Sequence, residues 1–259
     1  AVVLPLLLRD LPAVMWWPGD VPTETILFQR LMASADRLVL DTGRSRQPLD
    51  LLVRLAELAH AEGCQCALGD LNWDRLLPWR ELTAEFFDPP DCRPSLDRIR
   101  QARLEYETLV PDALTAQALL FVAWLATRLG WASSPSPWSR TVAGEQLSFR
   151  RGGQQVTVEM VALPARAEPA LRFLALCADG EGSQAAFTIR RSPEGSQAET
   201  TTALPGREVR QRAVSLPEPE LAGLLGYELG RTGPDPVYQE ALGLAASLGA
   251  RHPSGHHAS

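Results

Sequence analysis

Two Trp, two Arg and three acids fall within the twelve residues Asp70-Leu71-Asn72-Trp73-Asp74-Arg75-Leu76-Leu77-Pro78-Trp79-Arg80-Glu81, directly after an apolar run. The guanidinium groups of Arg75 and Arg80 suit bidentate recognition of a carboxylate or phosphate. Trp together with Arg is the pairing enriched at the centres of protein interfaces. A second aromatic pair, Trp16-Trp17, stands before the Pro18-Gly19 turn. The bland alternative is that Trp73 and Trp79 plug a core while Asp70, Asp74, Arg75 and Arg80 form ion pairs that fix the loop. Position in sequence does not separate the two readings, although Trp16 and Trp17 must face opposite sides of a strand, so at least one of them packs.

These residues need a scaffold, and the spacing of apolar positions supplies one. From residue 1 to 131, short apolar runs alternate with helical periodicities, the signature of an α/β domain with a mainly parallel sheet and flanking helices. Residues 4–8 read as the end of a helix, 12–17 as a buried strand, 23–34 as a helix and 36–40 as the next strand. A polar loop at 41–46 leads to a helix over 48–62 with Leu51, Leu52, Leu55 and Leu58 in a stripe, closed by Gly63. A third strand is expected at Cys64 to Leu68, and Pro78 opens a helix to Phe87. Three strands thus end in succession at Trp17, Asp41 and Gly69-Asp70. In open α/β sheets ligands gather beyond such ends, and Trp16, Trp17, Asp41, Thr42, Asp70, Asn72 and Trp73 are all placed there, with Arg44, Arg46, Arg75 and Arg80 able to bring positive charge to the same rim. Residues 97–108 read as a further strand and 111–130 as a buried central helix.

Beyond this, the Ser- and Pro-rich stretch 132–139 reads as a linker. Alternation then replaces helical spacing, with a hairpin around Arg151-Gly152-Gly153 and further strands near 171–178, 185–191, 197–204 and 208–216. Two helices follow, at 219–230 and 236–248. The expectation is a smaller α+β domain over 140–249 with an antiparallel sheet, followed by a flexible tail at 250–259.

Several chemistries are excluded. All 25 residues counted as Lys plus Arg are Arg, so there is no P-loop lysine, no Schiff base and no lysine general base. A net charge of −6 and a pI near 5.3 argue against nucleic acid as a partner. The longest uncharged apolar stretch, residues 113–126, is shorter than the ~20 residues that span a bilayer, so no membrane partner is expected. No G-x-G-x-x-G follows a strand, and G-x-S-x-G, H-E-x-x-H and paired Cys-x-x-Cys are missing, so neither a cofactor nor a metal is expected. His60 is the only histidine outside the tail, and the tail's His252, His256 and His257 offer no preorganised metal geometry. Asp41 and Asp70 as paired acid and base make the weakest reading.

Four cysteines without a zinc or disulfide pattern fit reduced thiols in a cytoplasmic protein. Cys92, in the Asp88-Pro89-Pro90-Asp91-Cys92 loop, is the thiol expected to be most accessible. Cys64 and Cys66 lie two apart on a strand, about 6.6 Å between α-carbons, near the upper limit for a disulfide. The chain opens at Ala1-Val2-Val3-Leu4 without Met or a charged leader, so an upstream portion is expected to lie outside it.

Five segments in order resemble one family. Asp10-Leu11-Pro12 through Trp16-Trp17-Pro18-Gly19, Asp36 through Asp41, the run from Asp70 to Glu81, Leu125 through Trp131 and Gly233-Pro234-Asp235-Pro236-Val237-Tyr238 are similar to motifs of OpcA, the glucose-6-phosphate dehydrogenase assembly family. The resemblance implies no catalytic residue. It implies a non-catalytic assembly factor and allosteric activator of glucose-6-phosphate dehydrogenase in the oxidative pentose phosphate pathway, linked in cyanobacteria to thioredoxin. In that light Trp16, Trp17, Asn72, Trp73, Arg75, Trp79 and Arg80 become candidates for facing the dehydrogenase or bracing the surface that does. Cys92, then Cys64 and Cys66, become redox candidates. A sensor module binding a sugar phosphate or nucleotide at the strand ends is the alternative.

Overall fold

The computed structural model describes residues 12–19, 21–22, 25–61, 66–111, 113–165, 169–179 and 184–253. Three short strands, β1 (Val14–Trp16), β2 (Arg37–Leu40) and β3 (Ala67–Asp70), form a parallel sheet in that order. All four residues of β2 are buried, and so are all four of β3, as expected for parallel strands covered on both faces. The crossovers are helical. α1 (Ile26–Met32) starts where the Thr25 hydroxyl accepts the Phe28 amide at 3.3 Å. α2 (Pro48–His60) begins with proline, which lacks the amide that a first turn leaves unbonded anyway, and buries Leu51, Leu52 and Leu55.

From β3 the chain turns at once into two helices, α3 (Leu71–Arg75) and α4 (Leu77–Glu85). A strand, β4 (Ile99–Thr108), follows, and then α5 (Ala116–Leu129), whose Leu119, Leu120, Phe121 and Val122 are all fully buried. A helix apolar on every side belongs inside. Thr115 caps it, and it ends where Gly130 takes φ +65°, a conformation that side-chain-bearing residues avoid.

The second sheet is the larger one. β5 (Ala132–Arg140), β6 (Glu145–Arg151), β7 (Gln154–Pro164), β8 (Leu171–Asp179), β9 (Gln184–Arg191), β10 (Gln197–Ala203) and β11 (Arg210–Ser215) join β4 in the order β11-β10-β9-β8-β4-β7-β6-β5. All pairings are antiparallel except β4 with β7. Two sequence expectations are corrected here. Residues 132–139 are no linker but most of β5, an edge strand where Pro is tolerated and whose register shifts between Ser133 and Trp138. The second sheet is also not confined to the second half of the chain, because β4 fills its centre between β8 and β7.

Two helices close the fold, α6 (Leu221–Leu229) and α7 (Pro236–Gly249). α7 buries Ala241, Leu242, Ala245 and Leu248 in the same apolar cluster as Leu52 and Leu55 of α2 and Leu119 of α5. At roughly 1.5–3 kcal/mol per fully buried large side chain, this shared packing is a main source of cohesion between the two sheets. α6 rests on the other face of the parallel sheet, where Leu224 meets Val14 and Val39. The tail expected at 250–259 is packed at its start, where His252 is buried against the Trp138 ring with the Glu145 carboxylate 2.8 Å from its Nε2; residues 254–259 lie outside the described residues. Among the described residues no helix is long and apolar enough to cross a membrane.

Candidate functional site

The carboxyl ends of β2 and β3 meet, as the alternation of strands and helices predicted, and they meet around Asp70. Its carboxylate accepts the Thr42 amide at 3.0 Å, the Thr42 hydroxyl at 2.7 Å and the Asn72 amide at 3.0 Å. It thereby caps α3 and the turn after β2 together, satisfying amides that a helix start leaves free. Asn72 Nδ2 donates to Thr42 Oγ1 at 3.0 Å, and the Tyr238 hydroxyl lies 3.3 Å from Asp70 Oδ2. Asp70 has no exposed surface. Its pKa is pushed up to about 7, first by burial and then by the charge of Asp41, against the lowering effect of its donors. Asp41 itself is clamped by Arg75, with both guanidinium nitrogens at 2.7 Å from its two oxygens, the planar fork that lysine lacks.

Behind Asp70 lies a second, denser cluster that joins α3 to α6 and α7. Trp73 donates its indole N–H to Asp235 at 3.1 Å, and Asp235 caps α7 by accepting the amides of Val237 and Tyr238. Arg231 reaches Asp235 at 2.7 Å, Glu228 at 3.1 Å and Asp74 at 3.5 Å. Arg37, from β2, bonds Glu228 at 2.8 Å and also donates to the Gly233 carbonyl. Arg80 stacks 3.6 Å over the Trp73 ring and donates to the Trp73 carbonyl. Burial brings its pKa down to about 10, so it stays charged at neutral pH. Both oxygens of Asp74 are buried without a hydrogen-bond donor among the described residues. Burial and the adjacent Glu228 push the Asp74 pKa up to about 8. A proton on Asp74 directed at Glu228 accounts for both observations.

Chemically this arrangement works as a lock. Its acids and bases are spent on each other, and they fix the strand ends to helices more than 150 positions away in sequence, as in the Tyr238–Asp70 contact. The helix expected from Pro78 is present as α4, and a further short helix, α3, precedes it. The run from Asp70 to Glu81 forms α3 and most of α4, with Asn72, Trp73 and Trp79 buried. Those three side chains are closed to direct contact with a partner. Trp17 packs edge-on against Phe28 at 5.4 Å, whereas Trp16 is 45% exposed, the division that strand alternation demanded.

The thiols also differ from expectation. Cys92 is fully buried rather than accessible: its sulfur accepts from Arg210 at 2.9 Å, and burial pushes its pKa up against the pull of that cation. Cys66 is buried, Cys64 lies outside the described residues, and the half-buried thiol is Cys177 of β8, which sequence reasoning passed over. Arg37, Glu228, Arg231 and Asp235 were missed as well. One signal was available for Glu228, the lone charge in the otherwise apolar helix Leu221–Leu229, since an acid there needs a cation partner.

Comparison with known proteins identifies the lineage. Residues 66–242 match the family that describes the C-terminal domain of a glucose-6-phosphate dehydrogenase subunit, and residues 1–57 match the family that describes its N-terminal domain. The chain belongs to the OpcA family. The OxPP cycle protein OpcA of Synechocystis sp. is 30% identical over 95% of this chain and 52% of its own length. OpcA of Synechococcus elongatus is 33% identical over 93% of this chain and 54% of its own. The chain thus spans about half the length of the curated OpcA relatives it matches. Among solved structures, KijD10, a 3-ketoreductase from Actinomadura kijaniata crystallised with NADP, superposes with a TM-score of 0.56 over 95% of this chain and 78% of its own, at 12% identity. At that identity the likeness carries the fold alone.

Proposed function

We propose that this OpcA-family chain acts as a non-catalytic assembly factor and allosteric activator of glucose-6-phosphate dehydrogenase, working in the cytoplasm on the oxidative pentose phosphate pathway. The observation that carries this reading is the family match over residues 66–242, whose description names a subunit of that dehydrogenase. The geometry supports it: Asp41 and Asp70 are bonded within the lock, and Asp70 is closed to any substrate. Activation then requires tighter binding to the dehydrogenase's competent or assembled state, and about 1.4 kcal/mol of such preference gives a tenfold shift.

In this proposal Trp16 contacts the dehydrogenase, together with the outer face of α6, where Leu221, Tyr227 and Leu229 are exposed and the helix's one charge is turned inward. Such charge-poor apolar surface is typical of the centres of protein–protein interfaces. Trp17, Asn72, Trp73, Arg75, Trp79 and Arg80 brace it from behind. Redox control, by thioredoxin or otherwise, would have to open the fold to reach Cys92 or Cys66. The test is a reconstitution with purified dehydrogenase, following NADPH formation and co-elution under reducing and oxidising conditions. The expected result is co-elution and a faster rate with the native chain, both weakened by Trp16→Ser, which leaves circular dichroism unchanged. Absence of both effects with the native chain overturns the proposal; an unimpaired Trp16→Ser overturns the placement of the surface.

A further inference from the structure

The eight-stranded sheet has two edges of different character. At one, β5 carries Pro135 and Pro137, which lack amide donors and discourage pairing. At the other, β11 is free of proline, pairs among the described residues with β10 on one side only, and is exposed along nearly its whole length. Its outward amides and carbonyls can accept another strand.

A groove runs beside that edge. Thr200 and Thr202 of β10 lie opposite Arg212 and Arg210 in the register, and these four side chains wall a recess of about 110 Å³ floored by Leu82, Phe86 and Pro89, with Glu85 as its one acid. Two of the three arginines around this edge are engaged. Arg207 bonds Asp91 at 2.6 Å, and Arg210 is divided between Asp91 at 3.5 Å and the Cys92 thiol at 2.9 Å. The exposed Arg212 has no side-chain hydrogen bond or carboxylate partner among the described residues. Residues 207–215 carry three Arg against one Glu in a chain whose net charge is −6. Cations on an edge strand can simply repel strangers. A mere guard needs no recess, yet here two arginines border one deep enough for a short side chain.

We propose that β11 is the docking edge for an extended acidic peptide segment of a partner protein, which adds as a ninth strand and sets an Asp or Glu side chain against Arg212 at the groove. Main-chain bonds would supply affinity and the alternating side chains specificity, the logic of strand addition. Such docking is independent of any role toward the dehydrogenase.

The test uses the full chain and three labelled peptides of equal length, alternating Val with Glu, with Gln or with Lys, followed by fluorescence anisotropy. Saturable binding of the Glu–Val peptide alone is expected, weakened at high salt. Arg212→Glu, an exposed position, should weaken it about tenfold, the loss of one charge-assisted contact, and should confer binding of the Lys–Val peptide. Amide hydrogen exchange over residues 210–215 should slow when the Glu–Val peptide binds. Equal binding of all three peptides, no binding of the acidic one, indifference to Arg212→Glu, or binding that leaves exchange at β11 unchanged would each overturn the proposal.

Discussion

Replacing Asp74 with Asn should make the protein more stable in mild alkali, not less. Asp74 has a pKa of about 8 in the fold against the ordinary 3.8. Between those values the folded chain holds one proton that the unfolded chain has released. Unfolding free energy therefore falls as pH rises, by a little over 1 kcal/mol per pH unit for this residue alone. The contribution is intact below pH 4 and is lost progressively as pH climbs through 8. Asp70, at about 7, adds a parallel loss up to its own value. Asn is neutral throughout, and its amide donates toward Glu228 as the protonated acid does. Asp74→Asn should thus match the native chain near pH 4 and exceed it by a few kcal/mol at pH 8, on the order set by the same linkage. Urea unfolding followed by tryptophan fluorescence, with the buried Trp73 as reporter, measures both proteins from pH 4 to 8. Parallel pH profiles, or a variant weaker than the native chain at pH 8, would refute the placement of the proton.

Two further outcomes follow from the same packing. A methyl group on Gly69 would stand 2.1 Å from Glu228 Oε2 and 3.3 Å from Arg37 Nη1. The carboxylate is pinned by Arg37 and Arg231 and cannot step aside without breaking a buried pair, at about 3–5 kcal/mol, so Gly69→Ala should lower the melting temperature by roughly 10 °C; a shift of a degree or two would show that the carboxylate is mobile. In the second, Cys92 should react with Ellman's reagent only on the timescale of local opening, and Arg210→Ala should speed that reaction by removing its cover. Immediate labelling of Cys92 in the native chain would contradict its burial.

Much of the fold was legible because local rules and tertiary structure agreed. Pro48 and Pro78 opened helices where a missing amide is harmless, Gly152 and Gly153 took the positive φ that a tight hairpin requires, and the stripe through Leu51, Leu52 and Leu55 faced the core. β5 was not legible, because Ser and Pro read as linker until a partner strand is known to flank only one side. The convergence of Asp41, Thr42, Asp70, Asn72 and Arg75 followed from strand order. The second half of the cluster did not: Arg37 and Glu228 are 191 positions apart, and no periodicity reports a pairing of that span. For the same reason the burial of Trp73 stayed undecided in sequence and Cys92 looked accessible, since the elements that cover them, α7 and β11, lie far downstream.

The central position of β4 sets a schedule on the ribosome. Gln101 must wait for Thr157, and Ala102 for Leu176, before either flank of that ten-residue strand is occupied. While synthesis proceeds, an apolar ribbon bearing Ile99, Leu104 and Tyr106 stays open along both edges until β7 and β8 emerge, and until then it can pair with a stranger.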